Sequence, residues 1–180
     1  RTLPSRPSRH SNTLAKGEAW PATNRALNFR LTARDGKGGV SSDDMKIQVV
    51  NTGKAFALTS PLVTPLAAGQ TQTIDWDVAG TNAAPINCSK VDLYMTRDEG
   101  VNWTLLAGGQ PNSGSASVTI PAGSDGTARL KVACSDNLFF AISPLKLSVT
   151  QRVEGGGGGG GALGFWTLAL ALLGWQRRRA

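Results

Sequence analysis

Residues that could act as nucleophiles, general bases or metal ligands are few in this sequence. It has one histidine, His10, and two cysteines, Cys88 and Cys134. One histidine cannot supply the paired histidines of an HExxH zinc site, and it lies far from the predicted folded region where a serine or cysteine nucleophile would need it. Asp75 and Asp77 lie two residues apart on a predicted strand, where a solvated sheet face is a simpler explanation than an acid–base pair. We therefore expect no catalytic residue in this chain.

The two cysteines are predicted to form one disulfide rather than to act as thiol nucleophiles. A bond between Cys88 and Cys134 would enclose 46 residues and would contribute roughly 3–4 kcal/mol in the chain-entropy model. The alternation of its strand predicts that Cys134 faces the core. The same alternation predicts that Cys88 faces outward, away from Cys134. Either a β-bulge near Ser89 and Lys90 restores the pairing, or Cys88 lies just before the strand.

Acidic residues around one predicted turn are weak candidates for a calcium site. Asp35 begins the turn, and Asp43 and Asp44 follow it. Carboxylates in loops are ligands that Ca²⁺ prefers. Turn chemistry alone explains Asp35, and solvated charge explains Asp43 and Asp44, so we assign no metal site to this chain.

A second turn, from Thr96 to Trp103, has a defined pattern. Its sequence, TRDEGVNW, resembles the Asp-box pattern S/T-x-D-x-G-x-x-W of sialidases and other β-proteins. In such a turn the aspartate accepts backbone N–H bonds, the glycine adopts a positive φ and the tryptophan packs over the hairpin. The resemblance implies a structural element away from any active site.

Alternation of apolar and polar residues predicts an all-β fold before the C-terminal tail. Residues 26–51 contain two strands, and Leu27, Phe29 and Leu31 define the side of the first strand that is expected to be buried. Two strands cannot fold independently. They resemble the closing strands of a PKD- or cadherin-like Ig-type sandwich, and the resemblance implies that the other strands precede Arg1.

The larger predicted unit comprises residues 54–152 and carries seven or eight short strands separated by turn signals. This number and spacing suit one Ig-like β-sandwich. Residues 1–25 are rich in proline, serine and arginine and are predicted to be an irregular basic segment, in which we expect His10 to be solvated.

The net charge of +7 is concentrated at the two ends of the chain. Residues 1–34 carry +6, residues 35–154 carry −2, and the C-terminal tail carries +3. The predicted folded part therefore lacks the basic stripe of nucleic-acid-binding proteins, and we expect no nucleic-acid partner.

The C-terminal tail contains three consecutive segments of different composition: a Gly-rich linker at 153–161, an apolar membrane helix at 162–176 and a cytoplasmic arginine cluster at 177–180. Arginines beside an apolar span are typical of the cytoplasmic membrane face, so the rest of the chain is expected outside the cytoplasm. The residues of the predicted sorting signal are Gly155, Gly156, Gly157, Gly158, Gly159, Gly160, Gly161, Arg177, Arg178 and Arg179.

This tail resembles the GlyGly-CTERM sorting signal of Gram-negative bacteria, which a rhomboid-type protease removes. Three preceding stretches, from Leu27 to Met45, from Ile74 to Thr81 and from Lys131 to Asn137, resemble in this order the C-terminal region of secreted bacterial reprolysin-like zinc metallopeptidases. In that family these are Ig-like accessory domains that follow the catalytic domain. The family's zinc ligands have no matching positions in this sequence, so no catalytic residue is carried over.

These resemblances imply the non-catalytic C-terminal region of an exported, surface-sorted metallopeptidase. The implied partners are the membrane, a rhomboid-type sorting protease, the export machinery and a protein or glycan substrate. The implied location is the inner membrane as a precursor, then the cell surface or medium of a Gram-negative bacterium. No cofactor is expected in this chain, and zinc is expected only in a preceding catalytic domain.

An alternative function is a surface adhesion or glycan-binding module. The second sandwich also resembles the KNH-type Ig-like domain of surface proteins. On this interpretation Trp20 and Trp103 are the tryptophans that could offer a stacking platform to a sugar, because the other three are assigned to the core or the membrane.

Overall fold

The computed structural model describes residues 8, 10, 13–61, 65–123 and 125–151. No helix with the length and apolar character of a membrane span occurs among these residues. The predicted Gly-rich linker, membrane helix and arginine cluster lie outside them. The regular elements are eleven strands: β1 Arg25–Arg34, β2 Val40–Val49, β3 Ala57–Ser60, β4 Leu66–Ala67, β5 Thr71–Asp77, β6 Lys90–Thr96, β7 Thr104–Pro111, β8 Ser115–Thr119, β9 Asp125–Cys134, β10 Phe140–Ile142 and β11 Leu147–Thr150.

Strands β1 and β2 form a hairpin, as the alternation predicts. They run antiparallel in continuous register, with Leu27 opposite Ile47 and Phe29 opposite Met45. The expected burial of one face of β1 is not observed, since Phe29 is 42% exposed and Leu31 is 75% exposed. The reason is that β1 and β2 form a two-stranded sheet that pairs with no other strand in the described part of the chain.

Strands β3 to β11 form a β-sandwich with one hydrophobic core. One sheet has the order β3-β5-β8, and the other has the order β4-β11-β9-β6-β7, with β10 also paired to β9. Apolar residues at alternating positions of both sheets face each other, as expected. The buried side chains include Ile74, Trp76, Val91, Leu93, Met95, Val118, Leu130, Val132, Leu147 and Val149.

Two short strands differ from the sequence prediction. β4 has only two residues and pairs in parallel with β11, with Leu66 opposite Val149. Two residues are too few to show an alternating pattern, so this strand could not be predicted from the sequence. The apolar run from Leu138 to Ile142 forms a strand only over its last three residues, and Leu138 itself is exposed.

A buried amide connects the two sheets near one end of the core. Asn112 is 4% exposed, and its Oδ1 accepts the indole N–H of Trp76 at 2.9 Å. Its Nδ2 donates to Thr81 Oγ1 and to the carbonyl oxygen of Cys88, both at 3.0 Å. Every polar group of this side chain is therefore satisfied inside the protein, which is the condition for burying it at low cost.

Candidate functional site

The disulfide lies beside this amide and joins the segment before β6 to the end of β9. The Sγ atoms of Cys88 and Cys134 are 1.98 Å apart, and the two Cα atoms are 6.1 Å apart. β6 and β9 are antiparallel neighbours, with Val91 opposite Cys134. Cys88 lies two residues before β6 begins at Lys90. The alternative that Cys88 lies just before the strand is therefore correct, and the alternation within β6 does not set its orientation. Both sulfurs are in the disulfide, and neither is available as a thiolate nucleophile.

The candidate calcium ligands do not converge. Asp35 Oδ1 accepts the backbone N–H groups of Lys37 and Gly39 at 2.7 and 2.9 Å, as its assignment to a turn predicts. Asp44 forms a two-pronged ion pair with Arg30, at 2.6 and 2.7 Å. The hydrogen bond from Arg30 lowers the pKa of Asp44. Asp43 precedes Asp44 on the same strand, so their side chains point to opposite faces of the hairpin.

One group of potential metal ligands occurs in the described residues. It consists of Cys88, Cys134 and Asp136, whose ligand atoms lie within 4.8 Å of one another. Because the two sulfurs are bonded to each other, they cannot provide the thiolates that a transition metal requires. The arrangement is therefore that of a disulfide with a neighbouring carboxylate.

Asp75 and Asp77 also have separate hydrogen-bond partners. Asp75 Oδ1 accepts the hydroxyl proton of Ser115 at 2.6 Å. Asp77 accepts the backbone N–H of Ala79 at 2.9 Å and pairs with Lys54 at 3.3 Å. The bond from Ala79, followed by that from Lys54, lowers the pKa of Asp77. Two carboxylates with separate partners are consistent with a solvated sheet face.

The turn between β6 and β7 has the geometry that its Asp-box-like pattern predicts. Asp98 accepts the backbone N–H groups of Val101 and Asn102 at 3.0 and 2.9 Å, and Gly100 has a φ of 78°. Hydrogen bonds to the ionised carboxylate, with that from the Asn102 backbone the largest cause, lower the pKa of Asp98 to about 2. Glu99 also adopts a positive φ, of 57°, which the pattern does not predict.

Glu99 is the centre of a charged cluster that the sequence analysis missed. Its Oε2 lies 3.7 Å from His10 Nδ1 and 3.9 Å from Arg129 Nε, and its Oε1 contacts the ammonium group of Lys146. The hydrogen bond from Lys146 is the main cause of a lowered pKa of Glu99. Arg129 is 6% exposed and donates from Nη1 to the carbonyl oxygen of Ser143 at 2.8 Å.

The expectation that His10 is solvated is wrong. The side chain is 9% exposed, and it packs against the Asp98 turn. A Cβ atom added to Gly100 would lie 3.0 Å from His10 Nε2 and 3.3 Å from Trp103 Cζ2. The N-terminal region therefore contacts the sandwich at this residue, which no local sequence pattern could have indicated.

Two aromatic rings beside the turn contact the ammonium group of a lysine. Lys131 Nζ lies 4.2 Å from the ring centroid of Tyr94 and 4.4 Å from the ring centroid of Trp103. These distances fall within the range of a cation–π interaction. Trp103 packs over the hairpin as predicted, and the ring face that Lys131 occupies is not open to a sugar.

A cleft of about 210 Å³ is lined in part by residues of the turn. Arg97 projects along it, and its Nη2 donates to the carbonyl oxygen of Pro121 at 2.8 Å. The Nη1 atom of Arg97 lies almost where a Cβ of Gly123 would be, so the absence of a side chain at Gly123 makes room for the guanidinium group. The lining residues are Met95, Arg97, Asp98, Asn102, Thr104 and Pro121.

No model of a protein family matches this chain, and a search of the curated proteins finds no match either.

Proposed function

We propose that this chain is the non-catalytic C-terminal region of an exported, surface-sorted metallopeptidase. On this proposal the β-sandwich is an accessory domain, and the C-terminal tail is a membrane sorting and anchoring signal. The observation that carries the proposal is the order of the tail, in which Gly155–Gly161, the apolar run from Ala162 to Trp175 and the arginines Arg177–Arg179 follow each other without overlap.

The disulfide supports the part of the proposal that concerns export. Disulfides persist in the periplasm and outside the cell, whereas cytosolic thiols are kept reduced. The bond between Cys88 and Cys134 joins two nearly completely buried residues of the core. A structural disulfide of this kind fits a sandwich that folds after export.

The described side chains support an accessory rather than a catalytic role. The carboxylates of Asp75, Asp77 and Asp98 each accept hydrogen bonds from their own neighbours, and both cysteine sulfurs are in the disulfide. A cysteine nucleophile needs a free thiolate, which a sulfur in a disulfide cannot provide. In this proposal the zinc chemistry belongs to a domain that precedes Arg1 in the parent protein.

In this proposal the apolar run of the tail is a short membrane span, and the glycines before it make its outer end easy to unwind. The helix of fourteen residues from Ala162 to Trp175 would be about 21 Å long, shorter than a hydrocarbon core of about 30 Å. The glycines must then contribute to the span, although each costs about 1 kcal/mol in a helix relative to alanine. A rhomboid-type protease would meet a backbone that already unwinds easily at the outer membrane surface.

The compartment can be tested through the two cysteines. The chain would be produced in a Gram-negative host with an export signal, and intact cells would be treated with a thiol-alkylating reagent before lysis. We expect no alkylation of Cys88 or Cys134 until the protein is unfolded and reduced. Two alkylated thiols in the native protein would show that it resides in a reducing compartment.

The parent protein can be tested by sequencing the DNA that precedes the codon for Arg1. An upstream reading frame with an HExxHxxGxxH motif is expected, because this motif supplies three histidines to zinc and a glutamate as general base. A reading frame that encodes an array of sandwiches alone would exclude the metallopeptidase.

A second candidate function is glycan binding at the cell surface. Trp20 favours it, since its side chain is 48% exposed and could stack on a sugar. Titration of the chain with a panel of polysaccharides should show saturable binding that weakens in a Trp20→Ala variant. Binding to no polysaccharide of the panel, or equal binding by the variant, would remove this candidate.

A further inference from the structure

Arg97 is half-buried, and within the described part of the chain its guanidinium group donates one hydrogen bond. Its Nη2 donates to the carbonyl oxygen of Pro121, and none of the ion pairs among the described residues includes it. A guanidinium group carries five N–H donors in a planar fork that matches a carboxylate. Most of its capacity to bind an anion is therefore unused at the edge of the cleft.

The nearby carboxylate of Asp98 does not neutralise Arg97. Both oxygens of Asp98 accept hydrogen bonds from inside the turn: Oδ1 from the Thr96 hydroxyl at 2.7 Å, and Oδ2 from the Asn102 amide at 2.6 Å. The backbone N–H groups of Val101 and Asn102 add further bonds. Asp98 thus stabilises the turn, and among the described side chains Arg97 forms no ion pair with a carboxylate.

The position of the guanidinium group is fixed before any ligand binds. The carbonyl oxygen of Pro121 holds Nη2, and Gly123 leaves the space that Nη1 occupies. Gly123 has a φ of 111°, which residues with a side chain rarely adopt. Less side-chain entropy is lost on binding when an arginine is already ordered.

The remaining lining suits a small polar group with an apolar face. Pro121 offers a half-buried apolar surface, Thr104 carries a hydroxyl and Asn102 carries an amide, whereas Met95 is buried in the core. The volume of about 210 Å³ is smaller than the about 300–1,000 Å³ of pockets for drug-sized ligands. It is suited to one residue of a polymer rather than to a large cofactor.

We propose that this cleft binds the carboxylate of a uronic acid residue in an acidic polysaccharide. Arg97 would bind the carboxylate with two N–H groups. Asn102 and Thr104 would bind ring hydroxyls, and Pro121 would contact the ring's apolar face. An acidic side chain of a peptide offers the carboxylate but not the hydroxyls. This inference deepens the second candidate function and is independent of the C-terminal tail.

The test compares three probes on the full chain in detergent, by amide chemical shifts in NMR titrations. Methyl galacturonide carries the carboxylate, methyl galactoside is its neutral match, and N-acetyl-glutamate amide represents an acidic peptide. We expect methyl galacturonide to bind at least tenfold more tightly than the other two and to shift the amides of Asn102 and Thr104. Equal binding of the neutral sugar, or tighter binding of the glutamate derivative, would overturn the proposal.

Variants then assign the interaction to the guanidinium group. Arg97→Gln should weaken binding of methyl galacturonide at least tenfold, and Arg97→Lys should weaken it less, because the charge is kept and the planar fork is lost. Arg30→Gln is the matched control, since Arg30 is an exposed arginine of the hairpin, and it should bind like the parent chain. Unchanged binding by a folded Arg97→Gln variant would refute the assignment.

If Arg97→Gln fails to fold, the comparison of the three probes on the parent chain still decides the proposal. The outcome is also separable from the fate of the second candidate function. A chain that binds neutral polysaccharide through Trp20 but does not bind methyl galacturonide would keep that function and exclude the Arg97 cleft as its site.

Discussion

Removing the disulfide should cost the sandwich much of its stability, and the structure sets the magnitude. The bond between Cys88 and Cys134 closes a loop with a sequence separation of 46 residues. In the chain-entropy model, closing a loop of this length in the unfolded state destabilises that state by about 4 kcal/mol. Because domains are stable by only about 5–15 kcal/mol, this loss would be a large part of the total.

The perturbation is the double substitution of Cys88→Ala with Cys134→Ala. Both side chains are nearly completely buried, and alanine leaves no buried polar group in their place. Urea unfolding can be followed by the fluorescence of the tryptophans, with the parent chain and the variant in the same detergent. With a slope of about 1–3 kcal/mol per molar urea, a loss of about 4 kcal/mol should lower the midpoint by about 1.3–4 M.

Reduction provides the matched control. Dithiothreitol should lower the midpoint of the parent chain toward that of the double variant and should leave the variant unchanged. A double variant whose midpoint equals that of the oxidised parent chain would refute the reasoning, since the loop would then not restrain the unfolded chain.

The other predictions concern the interior and the Asp98 turn. Asn112→Ala should lower the free energy of unfolding by about 2 kcal/mol or more, because it leaves the buried N–H of Trp76 without its acceptor; urea unfolding measures it. Gly100→Ala should destabilise by about 1 kcal/mol or more, since alanine at a φ of 78° is strained, and its Cβ would press on His10; the same assay applies. The pKa of Asp98 is about 2 in the folded protein, below its ordinary value of 3.8. Its contribution to stability is therefore complete above about pH 4 and is lost as the pH falls toward 2; unfolding midpoints across this range should fall less steeply in Asp98→Asn.

The sequence predicted the features that depend on short stretches of chain. Alternation predicted the all-β fold, because side chains of a strand alternate between its faces, and Ile74 and Trp76 of β5 are buried at alternating positions. The Asp98 turn was predictable because it, too, depends on a short stretch of chain. Its hydrogen bonds connect residues within Thr96–Asn102, so the motif contains all the groups that form them.

Features that depend on distant residues could not be predicted. Asn112 lies 36 residues from Trp76, to which it is bonded, and a buried asparagine has no signature in a local pattern. The burial of His10 depends on Glu99 and Gly100, which are brought to it only by the folded sandwich. The same holds for Arg129, which the alternation in β9 places on the outward side but which the surrounding loops cover.

Burial of the hairpin face was expected from its sequence and is not observed. Leu27 lies opposite Ile47 and Phe29 opposite Met45, as the alternation requires, whereas Leu31 lies opposite Asp43. Burial of such a face requires a second layer, such as another sheet. The alternation within two strands does not show whether that layer is present. A pattern of this kind predicts a strand and its orientation but not the partner that buries it.

The central claim is that the tail is a sorting signal that is cut at its glycines, and the mature C-terminus tests it most directly. Mass spectrometry of protein from the surface or medium of a Gram-negative host would compare the parent chain with a variant in which alanine replaces each glycine of Gly155–Gly161. Alanine should recover about 0.8–1 kcal/mol of helix stability per residue, so the variant should keep its tail. We predict a mature C-terminus within or just after the glycines of the parent chain, and its loss in the variant. Surface protein of the parent chain that still ends at Ala180 would contradict the claim.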